Sequence, residues 1–413
     1  MTGERVRGWF VPLAAMTGIA ILAWASIGAA PETRAGGITR EARQTAPRAN
    51  SSSSRATIPA AIGWYDVPGT KLESVCPPDG FKGIDYPFAS RCSGVIREWS
   101  SGIADTRRNR LILWGGGHNG YAGNELYAFE LDTMQLRRLN DPSPIAACQQ
   151  ATPDGRANTR HTYGGLAYIA HADRMFVFGG VPYCPPAGNS SSDTWTLNLE
   201  NLEWKRMDPV RGGGPSGYYN GTVSAYDAAS KLVFVQDRKT GFWSYDFDTN
   251  TYRYLNNHAA LTLHTNAVID VKAELFLTFG DGKIQAISIA SRSHYSQQDR
   301  SKAQGCDGLS QSVSPGLAYD SVLDRIVGWP DFGATVFLYD SKTNSCTTQT
   351  LAGSSPEDSA HTGGPGTSNG TFGRFQFFPA SDVFALANDW NIDIHTLRLP
   401  SPGSESASMS PGR

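Results

Sequence analysis

The chain has 413 residues, with 36 Lys and Arg against 38 Asp and Glu and a formal net charge of −2. That length suits one large domain or two ordinary ones, and the balanced charge excludes the basic footprint of a nucleic-acid binder. Forty-four glycines with 10 Trp, 16 Tyr and 18 Phe, and few helical periodicities, predict an all-β chain rich in turns.

Residues 1–30 read as a signal peptide. Arg5 and Arg7 give a positive start, WFVPLAAMTGIAILAW is an apolar run, and ASIGAA supplies small residues for cleavage near Ala29 or Ala30. An uncleaved membrane anchor is the alternative, but the run is short for a bilayer. Residues 31–60, with PETRAGG and ANSSSSRA, hold almost nothing that could build a core and read as a disordered linker. The tail at 400–413 reads the same way. Secretion or export to the periplasm is therefore expected.

Between these ends one pattern recurs: a short strand, a turn with Asp or a small residue, an apolar strand, an aromatic strand and a closing strand. SSGIADTRRNRLILWGGG leads to ELYAFELDTMQLRRL. GGLAYIAHADRMFVFGG leads to TWTLNLENLEWKRM, and TVSAYDAASKLVFVQD to FWSYDFDTNTYRYL. NAVIDVKAELFLTFGD, PGLAYDSVLDRIVGW and GRFQFFPASDVFALAN begin the remaining three. Six units at this spacing predict a β-propeller over 61–399. The sixth unit lacks a fourth strand, and GWYDVPGTKL at 63–72 is expected to supply it, closing the ring.

Six cysteines, Cys76, Cys92, Cys148, Cys184, Cys306 and Cys346, form no CxxC pair, so a zinc knuckle or thioredoxin site is not indicated. Behind a signal peptide an even count suggests disulfides. Pairing between sequence neighbours is preferred, and the other pairings stay open.

The strands LILWGGG and MFVFGG, followed by ELYAFELDT and DTWTLNLENLEW, resemble kelch-type propeller repeats of the galactose-oxidase-like superfamily. The resemblance covers about 61–399. It is strong in the first two units and weaker afterwards, where Gln236-Asp237, Gly280-Asp281, Trp329-Pro330 and Asn388-Asp389 replace Gly-Gly. The six units predict a six-bladed ring, and seven blades, which the resemblance allows, are the alternative.

In each unit the loop between the second and third strands shares a face with the head of the first strand. That face should gather His118, Tyr121 and Asn124 from unit one, and Arg160, His161 and Tyr163 from unit two. Tyr218, Tyr219 and Asn220 follow from unit three, His264 and Asn266 from unit four, and Asn369 and Arg374 from unit six. His171 falls in a turn on the opposite face. Each residue also has a structural reading: Glu125 as a loop anchor, the arginines as partners of carboxylates between blades, the tyrosines as channel-wall packing.

Together, aromatic rings, amides and cations suit an acidic sugar, whose carboxylate Arg can clamp. Elimination beside a uronate needs carboxylate neutralisation, proton abstraction at C5 and protonation of the leaving oxygen. The GGGHNGYAGNELYAF and RHTY segments are similar to those of secreted bacterial kelch-like proteins, including the ulvan lyases. That resemblance implies His118 and Tyr163 as the catalytic pair, with Arg160, Tyr219 and His264 assisting binding. Tyr121, Asn124, His161, Asn369 and Arg374 complete the expected substrate-binding set. The expected partner is an acidic polysaccharide or oligosaccharide met by a monomer, with no cofactor and no nucleic acid. A zinc on His118, His161 and His264 has no diagnostic spacing. A non-catalytic glycan- or protein-binding propeller and a periplasmic sugar mutarotase are the alternatives.

Overall fold

A computed structural model describes residues 57–401 apart from 187, 189, 210–212, 218–220, 259–261, 292 and 357–368. The expected signal peptide, the expected linker up to residue 56, the expected tail beyond 401, and Tyr218, Tyr219 and Asn220 lie outside the described residues. Six four-stranded antiparallel sheets make a six-bladed β-propeller, so the seven-bladed alternative is set aside. The innermost strands are Ser101–Asp105, Leu166–Ile169, Val223–Asp227, Asn266–Asp270, Gly316–Asp320 and Phe375–Phe378 in blades 1 to 6. Each abuts the inner strands of the blades before and after it.

The repeat is visible in the turns. Asp105, Asp227, Asp270 and Asp320 end inner strands. Their carboxylates accept the backbone N–H of Arg108, Ser230, Ala273 and Leu323 at 2.9–3.2 Å. A short acceptor side chain closing its own turn is why Asp recurs there. The residue before each second strand (Asn109, Asp173, Lys231, Glu274, Asp324 and Asp382) is left-handed, with φ between 50° and 61°.

Second strands such as Arg110–Trp114 and Leu275–Gly280 are buried along their whole length, because a blade is covered on both faces by its neighbours. Outer strands such as Gln135–Arg138 alternate exposed and buried. The apolar core is accordingly divided among the joints. Trp114, Val177 and Trp195 pack between blades 1 and 2. Phe176, Val235 and Tyr245 pack between blades 2 and 3.

The ring closes as expected from the sequence. Gly63–Asp66 pairs with His395–Arg398, the third strand of blade 6, with Gly63 opposite Arg398 and Asp66 opposite His395. The closing strand is shorter than the 63–72 expected, since Leu72–Val75 turns away as a 3-10 helix. Trp64 is fully buried and donates its indole N–H to Ala334 O at 3.0 Å, so the first strand also ties blade 5 to blade 6. The segment that follows, with Leu72, Phe88, Val95 and Ile96, fills the joint between blades 6 and 1. Arg97 clamps Asp389 there with two bonds of 2.9 and 2.6 Å. Disulfides join Cys76–Cys92, Cys148–Cys184 and Cys306–Cys346, the neighbour pairing. Among the described residues no helix is long and apolar enough to cross a membrane. The three disulfides are compatible with an extracellular or periplasmic protein.

Candidate functional site

On one face, heads of neighbouring inner strands are stitched together by main-chain bonds. Tyr163 N donates to Trp99 O at 2.7 Å, Ser314 N to His264 O at 2.9 Å and Phe372 N to Ser314 O at 3.0 Å. Trp99, Tyr163, Ser314 and Phe372 share one backbone conformation, with φ of 46° to 49°. Bulky side chains rarely adopt it, and the interblade bonds hold them there. The Tyr163 ring of blade 2 packs between those of Trp99 and Phe372, from blades 1 and 6, with centroids 6.5 and 6.2 Å away.

Beside this aromatic group, blades 1 and 2 bring two histidines and a carboxylate together. The loop after the second strand of blade 1 leans on a small ribbon of blade 2, in which Arg160–His161 pairs with Val181–Pro182. The contact is close: a Cβ on Gly117 would lie 2.3 Å from Arg160 Cα and 2.5 Å from Val181 O. Glycine is required at 117 for that approach, and its φ of 82° suits it. His118 follows directly. Its N–H donates to Val181 O at 3.1 Å, and its carbonyl accepts Cys184 N at 2.6 Å, beside the Cys148–Cys184 bridge. The half-buried His118 ring thus sits 5.1 Å from the His161 ring.

His161 is buried and its Nε2 lies 2.9 Å from Glu98 Oε2, a close pair rather than a well-aligned hydrogen bond. Burial pushes the His161 imidazole below its ordinary pKa, with Glu98 pulling the other way. Trp99 packs 5.1 Å from the His161 ring, and Tyr163 6.0 Å away. Burial raises the Tyr163 phenol well above its usual pKa. Glu98 raises it further, and the Arg238 cation in the blade 3 loop opposes this. The arrangement provides a neutral imidazole, a phenol held protonated, a carboxylate and a half-exposed histidine at one mouth.

Other residues expected there have structural work instead. Arg160 is fully buried, and its five N–H groups go to Asp193 and to the carbonyls of Asn158, Gly179 and Gln150. Arg374 is equally buried and donates to the carbonyls of Ser100, Ala387, Asn388 and Gly370, with burial bringing its pKa down to about 10. Neither presents a guanidinium to the mouth. Asn124 is buried, donating to Ser143 Oγ and Ala157 O and accepting Ser143 N. Tyr121 and Tyr127 both donate to Glu125 Oε1, at 2.5 and 2.6 Å. Burial raises the Glu125 pKa against those two bonds. Asn369 donates to Arg97 O at 2.5 Å. His264 stands at the head of blade 4, partly buried, its Nδ1 without a hydrogen-bond partner. Among the described residues no group of three or more His, Cys, Asp or Glu is close enough to hold a metal ion.

No family model matches the chain, and no curated protein matches it. The solved structures similar to it include a protein of unknown function from Bacteroides thetaiotaomicron at 11% identity and TM-score 0.49, covering 82% of this chain and 76% of that one. An auxiliary nutrient binding protein from the same organism matches at 9% identity and TM-score 0.43, covering 74% and 69%. YjhT matches at 9% identity and TM-score 0.45, covering 72% and 97%.

Sequence reasoning missed Glu98, Trp99, Phe372 and Arg238. Three of them carried a usable signal. Extending the strand-head alignment to EWSSG and TFGRF places Trp99 and Phe372 beside Tyr163, and Arg238 occupies in blade 3 the loop that holds His118 in blade 1. Glu98 had no such signal, because its pairing with His161 crosses a blade joint.

Proposed function

We propose that this mouth binds an acidic saccharide and that the chain is an exported, kelch-type propeller cleaving a uronate-containing polysaccharide by β-elimination. The observation that carries the reading is the placement of His118 and His161 against Trp99, Tyr163 and Glu98 at one mouth. In this scheme His118 takes the C5 proton, and the C–H electron pair becomes the C4–C5 double bond. The bond from C4 to the glycosidic oxygen breaks, and that oxygen leaves with the Tyr163 proton. A phenol held in its protonated form suits donation rather than abstraction. Arg238, close enough for its charge to act on Tyr163, is the cation suited to a uronate carboxylate. Trp99 offers a face to the pyranose.

The test is absorbance of the unsaturated uronate product over a panel of acidic polysaccharides. A rising signal, abolished by His118→Ala and Tyr163→Phe with the circular dichroism unchanged, supports elimination. New reducing ends without that absorbance mean hydrolysis instead. A second reading, glycan binding without cleavage, is favoured by the burial of Tyr163, which is only 3% exposed. Saccharide binding with no product from any polysaccharide would select it.

A further inference from the structure

The axis of the ring encloses a cavity of about 240 Å³ that belongs to neither the histidine mouth nor any blade joint. Its upper end is set by Ser101, Gly164, Asn266 and Gly373. Directly above those residues, Tyr163, Ser314 and Phe372 are buried, and none of them lines the space. At the opposite end the walls are Tyr168, Tyr226 and Tyr319, which are half-buried, and Val271, which is 48% exposed and sits in a turn of the far face. Among the described residues the cavity is thus closed beneath the strand heads that carry Tyr163, Ser314 and Phe372, and it opens on the face away from His118.

We propose that this blind channel is a second ligand site, for a neutral polyhydroxylated molecule of monosaccharide size. No Asp, Glu, Lys, Arg or His is among the residues that line it. A charged sugar would there lose its hydration without a counter-ion. The walls nevertheless carry hydrogen-bonding groups. Ser224 lines the space, but its Oγ is buried behind the wall, which leaves this work to amides. The amides of Asn266 and Gln376 lie in the same wall. Each donates one bond to a carbonyl, of Pro315 and Gly373 respectively. At the entrance the phenol oxygens of Tyr168 and Tyr319 are engaged by Asp173 and Asp324, and that of Tyr226 by His171. Those contacts fix the rings as a collar that can cover the C–H face of a sugar. The volume takes one such molecule, or about eight waters at ~30 Å³ each.

Titration calorimetry and saturation-transfer NMR on the whole protein test this, with glucose, galactose and mannitol as probes and glucuronate as the charged control. Saturable binding of at least one neutral probe and none of glucuronate is expected. Gln376→Leu should weaken it about tenfold, the loss of one hydrogen bond in a closed site. Ala225→Leu, which fills the channel, should abolish binding with the circular dichroism unchanged. The proposal is overturned if no neutral probe binds at millimolar concentration, if glucuronate binds as well as glucose, or if both variants bind as the wild type does. None of these outcomes depends on cleavage at the histidine mouth.

Discussion

Blades 1 and 2 and blades 4 and 5 build the same ring with different consequences. Tyr163 N bonds Trp99 O in one half as Ser314 N bonds His264 O in the other. Yet the connection from second to third strand is Asp281 and Gly282 alone in blade 4, against residues 115–126 and 179–193 in blades 1 and 2. Those two long loops, packed on each other, bring His118 to His161. The repeated strand heads supply Trp99 and Tyr163, and the long loops of two adjacent blades add His118 and hold the ribbon that carries His161.

The largest effect is expected at Arg160. Arg160→Met leaves Asp193 buried without its cation, costing about 3–5 kcal/mol. It also loosens the ribbon that carries His161. Chemical denaturation should show the loss. An unchanged midpoint would mean that Arg160 is not the clamp its five bonds indicate.

The comparison sharpens with the disulfides. Cys148–Cys184 and Cys306–Cys346 span 36 and 40 residues. Replacing either pair by Ala should cost a similar amount, about 3–4 kcal/mol. Only the first should disturb saccharide binding, because Cys184 N holds the His118 carbonyl. Equal loss of binding in both would dissolve the distinction between the two halves.

A smaller effect is expected from Glu125. Its pKa is raised in the fold, so the stability from holding it protonated is full below about 4.5 and is lost as pH rises through the folded value. Glu125→Gln should therefore gain about 1 kcal/mol on wild type at neutral pH, and the gap should narrow towards pH 4. His161 works in the opposite sense. Its pKa is lowered, so its contribution is present above about 6.5 and is lost as pH falls towards the folded value. A melting-temperature series from pH 8 to 5 on wild type and His161→Gln separates this smallest term, which the variant should lack.

Much of the ring could be read from the chain. Asp at the ends of inner strands, apolar second strands and the stranded GWYD segment all act locally or through a repeat, so a single sequence displays them. The two arginines could not be placed, because Arg160 and Arg374 look alike in sequence whether they face a ligand or a cage of buried acceptors. Only the curl of the surrounding loops decides that. Glu98 was likewise hidden, since its partner comes from the next blade. The glycines at 115–117 announced a close approach without saying to what; the answer is the ribbon bearing His161.

The most direct test of the histidine mouth is calorimetric titration of one acidic oligosaccharide into wild type, His118→Ala and His264→Ala. Binding should fall at least about tenfold, ~1.4 kcal/mol, in His118→Ala and stay within about twofold in His264→Ala. Full affinity in His118→Ala with loss in His264→Ala would contradict the account and move the site to the opposite half of the ring.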